Sequence, residues 1–281
     1  MKIPMNPNLR TRLGTALVFG TITIACIYLH PISLITLFAT INIGCLWEFQ
    51  TISDGVTGNS ARFPAFEKYI VGLIGTLMFF LLVGISVEII SSEYLILIFP
   101  LTFLVFIKEL FSRSRSPFSK VAANLTSILW ITIPLAMAIA LVFIEGWFNP
   151  NRLMSVLLLV WTNDSFAYLV GSQIGKHKLF ERISPKKTWE GFAGGLLGSL
   201  LMAGILAYYS DMYSLQNWLI IALLCSIFGT FGDLVESALK RSVNIKDSGN
   251  ILPGHGGFLD RFDALIFCLP FVYSFVYLLK N

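Results

Sequence analysis

Charge is what this chain has least of. Only 13% of its 281 residues are Asp, Glu, Lys or Arg. A soluble domain carries about a quarter, so the deficit excludes an ordinary water-soluble globule. Cysteine is sparse as well. Cys26, Cys45, Cys225 and Cys268 each sit in an apolar run with no C-x-x-C spacing, which excludes a disulfide framework and a thiolate metal site and leaves small buried residues. No G-x-x-x-x-G-K-[ST] phosphate loop occurs, and no low-complexity segment, internal repeat or ordinary domain boundary is visible. What the chain has instead is hydrocarbon: 56% hydrophobic residues and a mean hydropathy of +0.76. These residues come in long blocks, the pattern of a polytopic helical membrane protein.

Nine blocks are apparent: Leu13–Leu29, Pro31–Leu46, Tyr69–Val87, Tyr94–Ile107, Val121–Ile144, Leu153–Ile174, Gly191–Tyr209, Trp218–Gly232 and Ala264–Leu279. Nine spans of about 20 residues need about 180 residues, which leaves short loops. The fourth block is the weakest, being short and containing Pro100. It either extends back through Ser91 and Ser92 or is re-entrant. The first block is read as a span and not a signal peptide, because no small-x-small cleavage pattern follows it.

Positive charge tests the count independently. With the N-terminus cytoplasmic, 18 of the 20 Lys and Arg fall on the cytoplasmic side, and only Arg152 and Lys280 fall outside. That asymmetry predicts an all-α, polytopic integral membrane protein of about nine transmembrane helices, N-terminus cytoplasmic and C-terminus on the opposite side. The net charge of +4 then belongs to the cytoplasmic face, where it meets anionic headgroups and anionic substrates. Residues 1–150 read as a transmembrane scaffold of about five spans, and the spans themselves contain almost no ionisable residues. Residues 151–281 read as a catalytic region of about four spans.

Three polar clusters carry the chemistry. In the first, Asn163 and Asp164 lie inside an otherwise apolar block. An acid within a span costs a few kcal/mol unless it is paired or faces water, so function is the default reading and a packing bond the alternative. Gly171 and Gly175 in the same block read as close helix packing. The second cluster, Ser184 to Gly191, reads SPKKTWEG. Lys186 and Lys187 are either interfacial anchors beside Trp189 or, with Ser184, phosphate contacts at a glycine-rich helix start.

The third cluster runs from Phe231 to Asp263. Asp233, Glu236 and Lys240 fall at i, i+3 and i+7 on one helical face, with Ser237 one turn from Asp233. Lys246 and Asp247 follow, then a Pro-Gly-His-Gly-Gly turn. Glycine at 254, 256 and 257 lets backbone N–H groups approach an anion closely. His255 contacts phosphate, acts as an acid, or caps the turn. Asp260 and Asp263 repeat the i, i+3 spacing around Arg261. Mg²⁺ takes oxygen ligands and keeps substrate phosphates in its shell. Asp233 and Glu236 with Asp260 and Asp263 can hold one or two such ions, an arrangement suited to phosphoryl or nucleotidyl transfer.

The pattern S-x-L-K-R, four residues, K-D-x-G, then L-P-x-H-G-G-F-x-D-R-F-D fills Ser237 to Asp263. It resembles the hallmark of the phosphatidate cytidylyltransferases, or CDP-diacylglycerol synthases. N-D-S-F-A-Y at Asn163–Tyr168 and S-P-K-K-T-W-E-G are similar to the same family, so the resemblance covers roughly the last 120 residues. It implies that CTP and phosphatidic acid give CDP-diacylglycerol and diphosphate, that Mg²⁺ is required, and that the protein is a homodimer in the membrane. The family's di-metal centre, Mg²⁺ with a second divalent or monovalent ion, falls on Asp233 and Asp260. Lys240, Arg241, Lys246 and Arg261 then bind triphosphate or lipid phosphate. Gly256, Gly257, Ser237, Asn163 and Asp164 line the substrate site, while Asp263, Glu236 and Asp247 orient lysines and metal-bound water.

Two rivals differ in class. An intramembrane Asp164 also suits a transporter, but the polar residues gather on one side and no inverted halves are visible. A CTP-dependent lipid kinase, or a cytidylyltransferase for another lipid, shares the nucleotide apparatus. A CDP-alcohol phosphotransferase lacks support because the D-G-x-x-A-R run is missing.

Overall fold

The computed structural model describes residues 7–57, 64–112, 114, 116–249, 251 and 256–280. Proline punctuates it. Five helices begin at proline: α1 (Pro7–Leu29), α2 (Pro31–Thr57), α3 (Pro64–Ser86), α5 (Pro117–Ser127) and α7 (Pro150–Ile174). The first helical position needs no N–H, and proline's fixed φ suits it. Pro100 sits in the first turn of α4 (Ile98–Phe111), after a 3₁₀ stretch at Ser92–Leu97. The fourth block therefore extends back to Ser92, and the two pieces make one candidate span, Ser92–Phe111. Pro134 follows a π-helical turn, Ile128–Thr132, that joins α5 to α6 (Ile133–Val142). The widened turn accommodates the ring that would otherwise clash with the preceding turn.

A hairpin of β1 (Lys178–Phe180) and β2 (Ser184–Thr188) precedes α8 (Trp189–Tyr209), and α9 (Leu215–Ser242) and α10 (Leu259–Lys280) complete the chain. Among the described residues, eight helical segments are long and apolar enough to cross a membrane, and Leu17–Leu29 adds a shorter apolar stretch. The architecture is all-α and polytopic, that of an integral membrane protein, and its only described sheet is the two-stranded one.

The chain forms two compact units. One comprises Met1–Ile139 with Ser242–Phe262, the other Ala140–Arg241 with Asp263–Asn281. In the first unit Ile74, Met78, Val105, Val121 and Ile128 form a buried cluster joining α3, α4 and α5. The helices of this unit outrun the apolar blocks, and the ends that do so are charged. Lys120 Nζ lies 2.6 Å from Glu67, Lys68 3.3 Å from Asp54, and Lys108 2.9 Å from Glu109.

In the second unit α7 and α8 meet through glycine. A Cβ on Gly171 would lie 3.3 Å from the Gly191 Cα, and one on Gly195 2.8 Å from the Asn163 carbonyl. The close packing expected of Gly171 is present. Its partner is Gly191 in the next helix. Phe228 of α9 stacks on Phe271 of α10 with centroids 3.4 Å apart.

Candidate active site

The second unit gathers polar groups from α7, the hairpin, α9 and α10. The hairpin explains why two adjacent lysines differ. Side chains alternate along a strand, so Lys186 is exposed while Lys187 turns inward. Its Nζ reaches Asp233 Oδ2 at 2.6 Å. Hydrogen bonds from both directions hold the hairpin against the start of α8. Trp189 N–H donates to the His177 carbonyl at 2.9 Å, and the Glu190 carboxylate accepts from the N–H groups of Lys176 and His177. Thr188 caps α8 by accepting from Gly191 N–H at 3.1 Å.

Asp233 is also bonded by Ser237 one turn later, at 3.2 Å. The residue before it, Gly232, brings α9 against α10, because a Cβ there would lie 2.5 Å from the Asp263 carbonyl oxygen. Asp263 is 9% exposed and interacts electrostatically with Asp233, Asp164 and Lys187. Asp164 in turn interacts with Lys187 and Asp233. Its neighbour Asn163 does a different job, accepting from Ser226 of α9 at 2.6 Å. Asn163 thus bonds across to α9, while Asp164 interacts with the charged groups.

Asp164, Asp233 and Asp263 interact with one ammonium, which of these three only Asp233 contacts, and such an excess of negative charge calls for a cation or for protons. Among the described residues no three His, Cys, Asp or Glu side chains close into a metal-holding set. That still fits Mg²⁺, which takes one or two protein carboxylates plus substrate phosphates and seldom an all-protein cage.

Exposure separates the two carboxylates of α9. The Lys187 and Asp233 side chains remain 27% and 41% exposed, and so open a pair is worth at most about 1 kcal/mol. A substrate phosphate can displace it. Glu236 and Lys240, 2.5 Å apart, are 1% and 10% exposed, and breaking so buried a pair costs about 3–5 kcal/mol.

The glycine loop belongs to the first unit. Asp260 Oδ2 accepts from Gly257 N–H at 2.8 Å, Ser248 N–H at 2.9 Å and Ser248 Oγ at 3.0 Å. Gly256 has φ +86°, a left-handed conformation natural to glycine, and a Cβ there would strike the Asp260 carboxylate.

A residue that sequence reasoning missed holds this loop from α2. Glu48 accepts from Phe258 N–H at 2.9 Å, Leu259 N–H at 3.0 Å and Ser248 Oγ at 2.7 Å. A length argument points to it. Sixteen residues from Pro31 to Leu46 are too few to span a bilayer, so the helix must continue past Glu48.

Of the other expected residues, Ser184 is half-buried, and Arg241, Lys246, Asp247 and Arg261 are exposed. His255 lies outside the described residues.

Comparison with known proteins bears on this arrangement. The profile of the cytidylyltransferase family matches residues 10–279. The chain belongs to the cytidylyltransferase family. It is 53% identical over 117 residues to the phosphatidate cytidylyltransferase of Bacillus subtilis, a match covering 41% of this chain and 44% of that protein. It is 41% identical over 189 residues to the phosphatidate cytidylyltransferase of Staphylococcus aureus (strain COL), covering 66% and 70%. The Staphylococcus saprophyticus protein of the same name is 42% identical over 172 residues, covering 60% and 64%. The chain thus spans less than half the length of the first of these relatives.

Proposed function

We propose that this cytidylyltransferase acts on phosphatidic acid. CTP and phosphatidate give CDP-diacylglycerol and diphosphate, for phospholipid synthesis. A phosphate oxygen of phosphatidate attacks the α-phosphorus of CTP, a new P–O bond forms, and the bond from the α-phosphorus to the bridging oxygen breaks as diphosphate leaves. A phosphomonoester is ionised at neutral pH, so the reaction needs no strong base. What it needs is the cancellation of charge between two anions and an in-line approach.

The observation that carries this reading is the contact of Lys187 with Asp233 beside Asp164 and Asp263. It joins a displaceable ammonium to carboxylates of the kind that accept a divalent cation. Lys187 binds substrate phosphate by leaving Asp233, and Lys240 is held at the site by Glu236. Lys186, Arg241, Lys246 and Arg261 supply exposed positive charge for the triphosphate and the lipid phosphate. Asp233 in the second unit and Asp260 in the first are the carboxylates that would take Mg²⁺, whose charge would neutralise the phosphates and the departing diphosphate.

The 18:2 distribution of Lys and Arg supports an active site on the cytoplasmic side of a bacterial inner membrane, and labelling of introduced cysteines from either side tests it. The homodimer rests on the family resemblance, and the mass of the solubilised particle tests it.

The decisive assay supplies radiolabelled CTP to purified protein with phosphatidate or other lipid acceptors, with and without Mg²⁺. Mg²⁺-dependent incorporation with phosphatidate, equal to the diphosphate released, is the expected result. Incorporation into a different acceptor, or none with any lipid, overturns the proposal.

A further inference from the structure

We infer that Glu48 is a positioning residue for turnover. From a helix remote in sequence, it fixes the glycine loop and orients Asp260. This rests on the nucleotidyl-transfer reading above. The carboxylate is 3% exposed within an apolar helix. Such burial is tolerable only when the charge is hydrogen-bonded, and here both oxygens are used. Oε1 takes the N–H of Phe258, while Oε2 takes the N–H of Leu259 and the Ser248 hydroxyl.

Phe258 N–H and Leu259 N–H lie at the start of α10, where the first four amides of a helix lack intrahelical partners. A negative charge is favoured there. Glu48 therefore acts as an N-terminal cap supplied from α2. Ser248 connects this cap to Asp260, because its hydroxyl lies 2.7 Å from Glu48 Oε2 and 3.0 Å from Asp260 Oδ2. That hydroxyl has a single hydrogen, so moving either carboxylate changes what the other receives.

Space is as constrained as the bonding. A Cβ on Gly249 would lie 2.5 Å from Glu48 Oε1, and one on Gly257 would strike both Glu48 oxygens and Ser248 Oγ. A Cβ on Gly44 of α2 would lie 2.5 Å from the Phe258 ring. The loop is thus moulded around one side chain, and its glycines serve this carboxylate as well as any anion.

The test compares the wild-type protein with Glu48→Gln and Ser248→Ala in lipid nanodiscs. It reads CDP-diacylglycerol synthesis and amide hydrogen exchange over residues 246–260. Glu48→Gln keeps the shape but replaces one accepting oxygen with a donor facing a donor. Its kcat is expected to fall about 10–100-fold, the usual cost of losing a partner that orients a liganding group. KM for CTP and phosphatidate should stay within about twofold, as when an interaction of the transition state alone is removed. Exchange at Phe258 and Leu259 should quicken about tenfold, the equivalent of one lost hydrogen bond. Ser248→Ala should move both readouts the same way by less, and it decides the matter if Glu48→Gln does not fold. Wild-type kcat in Glu48→Gln, or a fall in kcat with loop exchange unchanged, overturns the inference. A wild-type protein that makes no CDP-diacylglycerol instead sinks the functional reading, and the exchange arm still tests the clamp.

Discussion

The two acidic regions of this molecule treat their carboxylates in opposite ways. In the glycine loop, Glu48 and Asp260 take four backbone N–H groups between them and share the Ser248 hydroxyl. In the α7–α9–α10 region, Asp233 is bonded by one ammonium and one hydroxyl and stays partly open. The contrast separates carboxylates that build from carboxylates that exchange partners. Glu48, bonded at both oxygens, shapes the loop, whereas a half-open acid beside a displaceable lysine is suited to taking a cation as substrate phosphate takes the lysine.

The sharpest way to break this contrast is to neutralise one acid of each kind. Asp233→Asn should lower kcat by about a thousandfold, as removing a transition-state electrostatic contact does, with amide exchange in residues 246–260 unchanged. Asp260→Asn should also abolish turnover, but with faster exchange at Ser248 and Gly257, whose N–H groups it holds. Equal exchange in the two variants would erase the distinction. Glu236→Gln comes next. It leaves the buried Lys240 without its countercharge and should cost about 3–5 kcal/mol of stability, seen as a lower thermal unfolding midpoint; an unshifted midpoint would return Glu236 to the exchangeable class.

Smaller effects come from the hairpin. Lys187→Ala should reduce kcat/KM about a hundredfold, as loss of one charge-stabilising donor does. Lys186→Ala, on the outward face, should weaken substrate binding by about threefold, in line with the value of an exposed charge contact. A reversed order in steady-state kinetics would place the wrong lysine in the site.

Much of this was legible in the amino-acid order. Apolar blocks gave the spans because a bilayer leaves a helix no other way to satisfy its backbone. The Ser237–Asp263 pattern named the loop, its glycines and its acids. Two things stayed hidden for physical reasons. The Lys178–Thr188 hairpin is short, and its strands pair only with each other, so Lys186 and Lys187 looked equivalent until strand alternation separated them. Glu48 stands about 200 residues from its partners; helix length carries α2 past it, but nothing local tells that its donors come from so far along the chain. Even the helical face read for Asp233, Glu236 and Lys240 concealed a division of labour. Spacing places side chains on a face, but burial decides which of them can change partners.

Binding of Mn²⁺, followed by electron paramagnetic resonance on purified protein with CTP present, tests the central claim most directly. The wild-type protein should hold the ion, and Asp233→Asn should lose that binding while remaining folded with its glycine loop protected from exchange. Undiminished Mn²⁺ affinity in Asp233→Asn would show that the half-open carboxylate is not where the cation is taken.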